Sequence, residues 1–199
     1  MRKKKRDLQL PNVSEIETEL ARVKYQGKYR RTLRSTIYTL ITVAAVAVLI
    51  STLWIPVLEI YGNSMAPTLD AGDIVVSLKE EKFERGDLVA FYYNNKVLVK
   101  RVIASGGDMV NMDEDGTVYV NDVKQEEPYL TEKAYGDCNI EFPYEVPDTR
   151  LFVMGDHRAQ SIDSRNVAVG CISTEQIVGK IRLRIWPLDS IEIFSLNRI

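Results

Sequence analysis

Histidine is almost missing from this chain. One residue, His157, stands in 199. Cysteine is nearly as scarce, with two, Cys138 and Cys171. One His and two scattered Cys offer no metal-ligand spacing, so a structural or catalytic metal is not expected, and no other cofactor is implied. Two cysteines also make no disulfide framework; a single bridge is permitted if they face an oxidising compartment, and the sequence leaves it open. RRM, KH and zinc-finger patterns are absent, and nucleic acid is not an expected partner.

The most telling absence is of charge. From Ser35 to Leu58 no residue is charged, over 24 positions that read "TIYTLITVAAVAVLISTLWIPVL" after the opening serine. As a helix that stretch would measure about 36 Å, against a hydrocarbon core about 30 Å thick. It is too long and too clear of charge for an ordinary buried helix, and Trp54 suits an interfacial anchor. The expectation is a transmembrane helix at 35–58. A cleaved leader fits poorly, because the preceding basic region is some 34 residues long and the only A-x-A-like site, Ala45-Val46-Ala47, lies inside the apolar run.

What is present is unevenly spread. Of 26 Lys/Arg and 28 Asp/Glu, residues 1–34 hold eleven bases and four acids, leaving fifteen and twenty-four for the rest. No base occurs between Leu53 and Ser77. The positive-inside rule then sets a cytoplasmic segment at 1–34 and an extracytoplasmic domain at 59–199. Residues 1–13 read as disordered, and Ser14 to Glu17 as a capping box opening a short helix that ends near Gly27.

After the apolar span come short β-rich runs: "DIVVSL", "DLVAFYY" and "VLVKRVIA" around Asn94-Asn95-Lys96, "GGDMVNM" and "TVYVNDV" around Asp113–Gly116, "LFVM", "IVGKIRLRIWPL" and "SIEIF". Asparagine tolerates positive φ, so the first pair signals a hairpin. The fold class expected is mainly β: an antiparallel β-sheet catalytic domain preceded by one N-terminal transmembrane helix. Residues 121–148 are polar, hold Pro128, Pro143 and Pro147, and read as a loop-rich insertion outside the core.

Three stretches carry candidate chemistry. "GNSMAPTL" presents Ser64 directly after the apolar span. A serine hydroxyl needs a base to become a nucleophile, and the candidates are histidine or a lysine whose burial has lowered its pKa. Lys100 stands in "VLVKRVIAS", in an otherwise apolar strand; on spacing alone an edge lysine snorkelling to water is the simpler reading. "GDHRAQSIDSR", from Gly155 to Arg165, reads on its own equally well as a solvated loop.

Taken together and in this order, "SMAPTL", "KRVI" and "GDHRAQSIDSR" resemble the bacterial type I signal peptidases. With "VYVN" and "GKIRLRIWPL" the resemblance covers most of residues 55–190. It implies a membrane-bound serine endopeptidase that cuts signal peptides from secretory preproteins after small residues at −3 and −1. Ser64 then matches the nucleophile and Lys100 the general base of a Ser/Lys dyad working through an acyl-enzyme. Ser161 matches the hydroxyl that orients the amine, and Asp163 with Arg165 a supporting charge pair. Asp156 and Arg158 fix the same loop. The Ser64 backbone N–H suits an oxyanion donor.

The resemblance also makes Ile60, Tyr61 and Gly62 on one side, and Val97, Leu98 and Val99 on the other, the walls of a cleft where substrate adds as a strand. Pro56, Val57, Leu58 and Trp54 form an apolar lip toward the lipid. Partners implied are preproteins, the bilayer and the secretion translocon. Two departures stand out. Gly62 falls where some relatives place a second, hydroxyl oxyanion donor, and His157 falls where many have asparagine. His157 reads as a loop hydrogen-bonder, since Lys100 fills the base position. Alternatives are a relative specialised for pilin or another narrow substrate, and a silent assembly factor of the same fold. Self-cleaving repressors share the chemistry but lack the anchor.

Overall fold

The computed structural model describes residues 12–54 and 56–194, without the side chains of residue 26 and residues 50–54. The interfacial anchoring expected of Trp54 lies outside the described residues, as does most of the disorder expected of residues 1–13; within that stretch Val13 opens a helix instead. The chain divides into two compact units, 1–50 and 51–199.

The first unit is helical. Helix α1 runs unbroken through Val13–Trp54. The short helix expected to stop near Gly27 is instead its opening turns: one glycine costs about 1 kcal/mol in a helix interior, too little to end it. The cap also differs from expectation. Asn12, not Ser14, precedes the helix, and Glu15 accepts from the Asn12 backbone N–H at 3.2 Å. Within α1 lies a span of mean hydropathy 1.6, long and apolar enough to cross a membrane, with none of it buried inside the protein. The helix ends at Trp54 rather than Leu58. Val57 and Leu58, expected inside the span, lie in a strand instead.

The second unit is mainly antiparallel β, as expected. Its larger sheet is built from β1 (Val57–Glu59), β2 (Ile74–Leu78), β3 (Leu88–Tyr93), β4 (Lys96–Ser105), β9 (Arg150–Met154), β10 (Ile172–Ser173), β11 (Ile177–Trp186) and β12 (Glu192–Ile193). The order is β1-β2-β11-β3-β4-β9-β10, with β12 also on β11. The smaller sheet takes β5 (Met109–Met112), β6 (Val118–Val120), β7 (Val123–Lys124) and β8 (Tyr144–Glu145), in the order β7-β6-β5-β8.

The expected β3–β4 hairpin closes with Tyr93 opposite Lys96. Asn94 and Asn95 take φ of 43° and 64°, the left-handed pair a two-residue turn demands. The run "TVYVNDV", expected as one strand, is broken by the same device at Asn121 and Asp122, with φ of 53° and 62°. The segment 121–148, expected outside the core, contributes to it instead. Val146 is buried, and Tyr135, Ile140, Phe142 and Tyr144 pack on Ile103, Val110 and Phe152. Cys171 joins that cluster; both cysteines are free thiols.

Strand β11 shows why "VGKI" carries a glycine. A Cβ on Gly179 would lie 2.7 Å from the Leu78 carbonyl oxygen of β2, a backbone atom that cannot swing away. Gly179→Ala is therefore expected to destabilise this unit by about 1–3 kcal/mol in denaturant titration. An unchanged midpoint would show that the two strands are not packed this closely.

Candidate active site

The site begins with the turn after β1. The Ile60 N–H donates to the Asp73 carbonyl at 2.8 Å and the Gly72 N–H to the Ile60 carbonyl at 2.9 Å, closing the base of a loop. Met65 and Leu69 turn inward and bury against Ile60, Val75, Leu88, Ala90 and Ile181. Full burial of such side chains contributes on the order of 1.5–3 kcal/mol each, enough to hold a turn with no regular structure. Ser64, between the exposed Asn63 and the buried Met65, stays half-exposed. Gly62 has φ of +81°, with open space where a Cβ would stand. Its missing side chain thus goes with a left-handed backbone that a serine or threonine would adopt only under strain.

Lys100 projects to this turn from the middle of β4. Its Nζ lies 2.6 Å from Ser64 Oγ. The residue is only 3% exposed, which rules out the reading of an edge lysine reaching water. Burial pulls its pKa down from 10.5 to about 8; the charges of Asp163 and Asp156 resist that shift, and Arg165 adds to it. Lysine is among the residues least often buried unpaired, yet Lys100 has no ion pair among the described residues.

The nearby carboxylates are taken by guanidinium groups instead. Arg165 meets Asp163 with Nε–Oδ1 and Nη2–Oδ2 contacts of 2.9 Å each, and Asp163 also accepts the Gly155 N–H at 2.9 Å. Burial pushes the Asp163 carboxyl up, but these donors outweigh it and hold the group below the usual range. Arg101 meets Asp156 the same way, at 2.9 and 2.6 Å. Asp156 Oδ2 accepts the Thr68 hydroxyl at 2.5 Å, so the serine turn, the lysine strand and the "GDHR" loop share one ion pair. A fourth tie is the His157 N–H, which donates to the Ser64 carbonyl at 3.1 Å. Arg158 pairs with Glu127 and donates from Nε to the Gly155 carbonyl at 3.2 Å.

Ser64, Lys100, Asp156, Arg158, Ser161, Asp163 and Arg165 are thus gathered in one region, with some differences from expectation. Ser161 is buried and its Oγ makes no hydrogen bond of good geometry, to Lys100 or any other described residue, although it lies close enough to Asp163 to help hold that carboxyl down. It packs on Gly155, where a Cβ would fall 2.2 Å from Ser161 Oγ and 2.5 Å from the Ser64 carbonyl. His157 bonds the loop through its backbone N–H, and its ring Nδ1 is buried without a partner among the described residues. Ile60 is a correction to the expected cleft: its side chain is core and its backbone N–H and carbonyl are both engaged. Tyr61, by contrast, is 81% exposed. Val97, Leu98 and Val99 pair with β3 on one side. On the other side β9 begins pairing only at Arg101, leaving that edge of the strand open among the described residues.

Four contributors escaped the sequence. Arg101 and Thr68 stand inside the chemistry-bearing stretches, but nothing in the sequence marked them for a role. Glu127 and Tyr129 gave no local signal, since "EEPYL" is polar and proline-containing. Tyr129 lays its ring 3.8 Å from Arg101 Cζ. The bases of "GKIRLR" are also accounted for: Lys180 meets Asp87 at 2.6 Å, Arg182 meets Glu80, and Arg184 meets Asp73 and donates to the Thr68 carbonyl.

A buried lysine lies against a serine hydroxyl on an antiparallel β scaffold, an arrangement that suits a serine hydrolase. Comparison with known proteins agrees on the class. Residues 33–186 match the family described as signal peptidase, peptidase S26. The chain is 36% identical over 172 residues to Signal peptidase I U of Bacillus subtilis, covering 80% of this chain and 91% of that protein. It is 40% identical over 151 residues to Signal peptidase IB of Staphylococcus aureus, covering 65% and 77%. A crystal structure of a signal peptidase I from Enterococcus faecalis aligns with 50% of this chain and 96% of its own at 29% identity, with a TM-score of 0.43. The chain belongs to the signal peptidase family, peptidase S26, and is a serine peptidase.

Holding Lys100 at a pKa of about 8 rather than 10.5 costs stability, on the order of 3 kcal/mol. Below pH 8 the lysine is protonated in both folded and unfolded chains, so the cost is fully present. It shrinks as pH rises from 8 to 10.5, where only the unfolded chain keeps the proton. Lys100→Met is expected to stabilise the unit at pH 7 by about 1–3 kcal/mol in urea titration, with the gain shrinking toward pH 10. A destabilised variant at pH 7 would mean that burial of the amine carries no such cost.

Proposed function

We propose that this protein is a membrane-bound endopeptidase that releases signal peptides from exported preproteins, with Ser64 as nucleophile and Lys100 as general base. The observation that carries the reading is the 2.6 Å contact between a buried amine and the Ser64 hydroxyl. With a pKa of about 8, roughly a tenth of Lys100 is neutral at pH 7, against under a thousandth for a free lysine. The neutral amine takes the Ser64 proton as Oγ attacks the scissile carbonyl. The ammonium returns that proton to the leaving amine, and the acyl-enzyme remains. Lys100 then deprotonates the water that resolves it. The Ser64 N–H, which has no acceptor among the described residues, faces the developing oxyanion. Asp156, Arg158, Ser161, Asp163 and Arg165 keep the pocket rigid and its carboxylates occupied.

Preproteins bind extended along the open edge of β4 at Val97–Val99, opposite Tyr61 and Gly62, with small residues at −3 and −1 entering shallow pockets. The relatives named Signal peptidase I support the substrate class. The apolar span of α1 sits in the bilayer, with the N-terminal basic segment cytoplasmic and the β unit outside, where a chain leaving the translocon first meets it.

Cleavage of a preprotein in detergent, followed by mass spectrometry, tests the assignment. Ser64→Ala and Lys100→Ala are expected to fold and cleave nothing. Lys100→Arg is also expected to be inactive, since guanidinium stays charged. Measurable product from Ser64→Ala would end the proposal. The pH–rate profile is expected to rise with a midpoint near 8, following Lys100. His157→Asn should leave that limb in place; its loss, together with a thousandfold fall in rate, would transfer the base to His157.

A further inference from the structure

We propose that Glu127 and Tyr129 are positioning residues for the reaction: a clip, two residues apart in sequence, that locks the strand carrying Lys100 to the loop carrying Ser161. The inference rests on the Ser64–Lys100 reading. The clip grips one arginine from each side. Tyr129 lies flat against Arg101, the residue directly after Lys100, at 3.8 Å from Cζ to ring centroid. Its hydroxyl donates to Glu127 Oε1 at 2.9 Å. Burial, then the Glu127 charge, keeps that phenol protonated and so a donor. Glu127 takes the Arg158 guanidinium end-on, accepting from Nη1 at 3.0 Å and from Nη2. Arg158 in turn holds the Gly155 carbonyl, and Gly155 packs against both Ser161 and the Ser64 carbonyl.

The arrangement goes beyond ordinary loop packing in two respects. The Arg158 and Glu127 side chains are essentially inaccessible, 0% and 2% exposed, and Glu127 is the one carboxylate that pairs with Arg158 among the described residues. Asp156 takes the in-plane edge of the Arg101 guanidinium and the Tyr129 ring covers its face, so the ring hinders the guanidinium from rotating off its carboxylate. Both arginines are tied directly to the residues flanking the dyad. A shift of about 1 Å in a reacting group is enough to cost some hundredfold in rate, whereas the open edge of β4 where substrate pairs is untouched by the clip. The clip should therefore act on turnover and not on substrate binding.

The test is steady-state cleavage of a signal-peptide substrate by the full chain in detergent, with rates expressed per folded molecule from the thermal melt. Tyr129→Leu and Glu127→Gln are each expected to lower kcat by about 10- to 100-fold with KM within about threefold of the parent. Tyr129→Phe keeps the ring on Arg101 and is expected to recover kcat to within about threefold. Unchanged kcat per folded molecule, a change confined to KM, a Phe variant as impaired as Leu, or variants with no folded fraction at all would each overturn the positioning role. Ser64→Ala runs alongside: turnover there would remove the dyad reading itself, whereas a silent Ser64→Ala beside a Tyr129→Leu that works like the parent removes only the clip.

Discussion

The structure turns on a lysine that is kept dry and, among the described residues, left without a counter-ion. Burying an ammonium is unfavourable unless a carboxylate neutralises it, and two carboxylates lie close enough to raise the Lys100 pKa. Neither pairs with it. Asp163 is saturated by Arg165 and the Gly155 N–H, and Asp156 by Arg101 and Thr68. The arginines thus do more than brace a loop. By occupying both acids they deny Lys100 the partner that would fix its proton, and among the described residues the one hydrogen bond left to its amine is with Ser64 Oγ. Arginine suits this task because its planar fork takes both carboxylate oxygens and its charge does not titrate away.

The same pairs explain how segments distant in sequence are brought together. The serine turn has no regular structure of its own. It is held from below by Met65 and Leu69, from one side by Thr68 on Asp156, and from another by the Thr68 carbonyl on Arg184. The loop after β9 starts where that strand stops pairing with β4, at Arg101 and Met154, so Gly155 arrives beside Lys100 by register alone. Gly155 then has to be glycine, because its neighbours Ser161 and Ser64 leave no room for a Cβ. A register slip of one residue in β4 would turn Lys100 to the other face of the sheet and remove the contact.

Much of this was legible in the sequence, and the reasons differ from place to place. The β3–β4 hairpin was readable because Asn94-Asn95 carries its own backbone preference. The helix was readable in type but not in extent: nothing local between Gly27 and Ser35 stops a helix once its neighbours are helical, and the apolar run continues past the helix into β1. Ser64 and Lys100 were readable only through resemblance, since spacing alone favoured a lysine reaching water. The Tyr129 ring on Arg101 and the Glu127 carboxylate on Arg158 were not readable at all. They come from residues 28 and 31 positions away in a polar, proline-bearing stretch, and a buried contact between distant residues leaves no periodicity to detect. Ile60 misled for a related reason, because a position beside a cleft need not face it.

The most direct measurement is the titration of the Lys100 amine itself, by NMR of lysine labelled at the ε-carbon, with Lys100→Met used to assign the signal. A midpoint near 8, well clear of the other lysines, is the expected result. A midpoint at the ordinary value of 10.5 would contradict a dry, unpaired amine and, with it, the part played by the arginines in keeping it so.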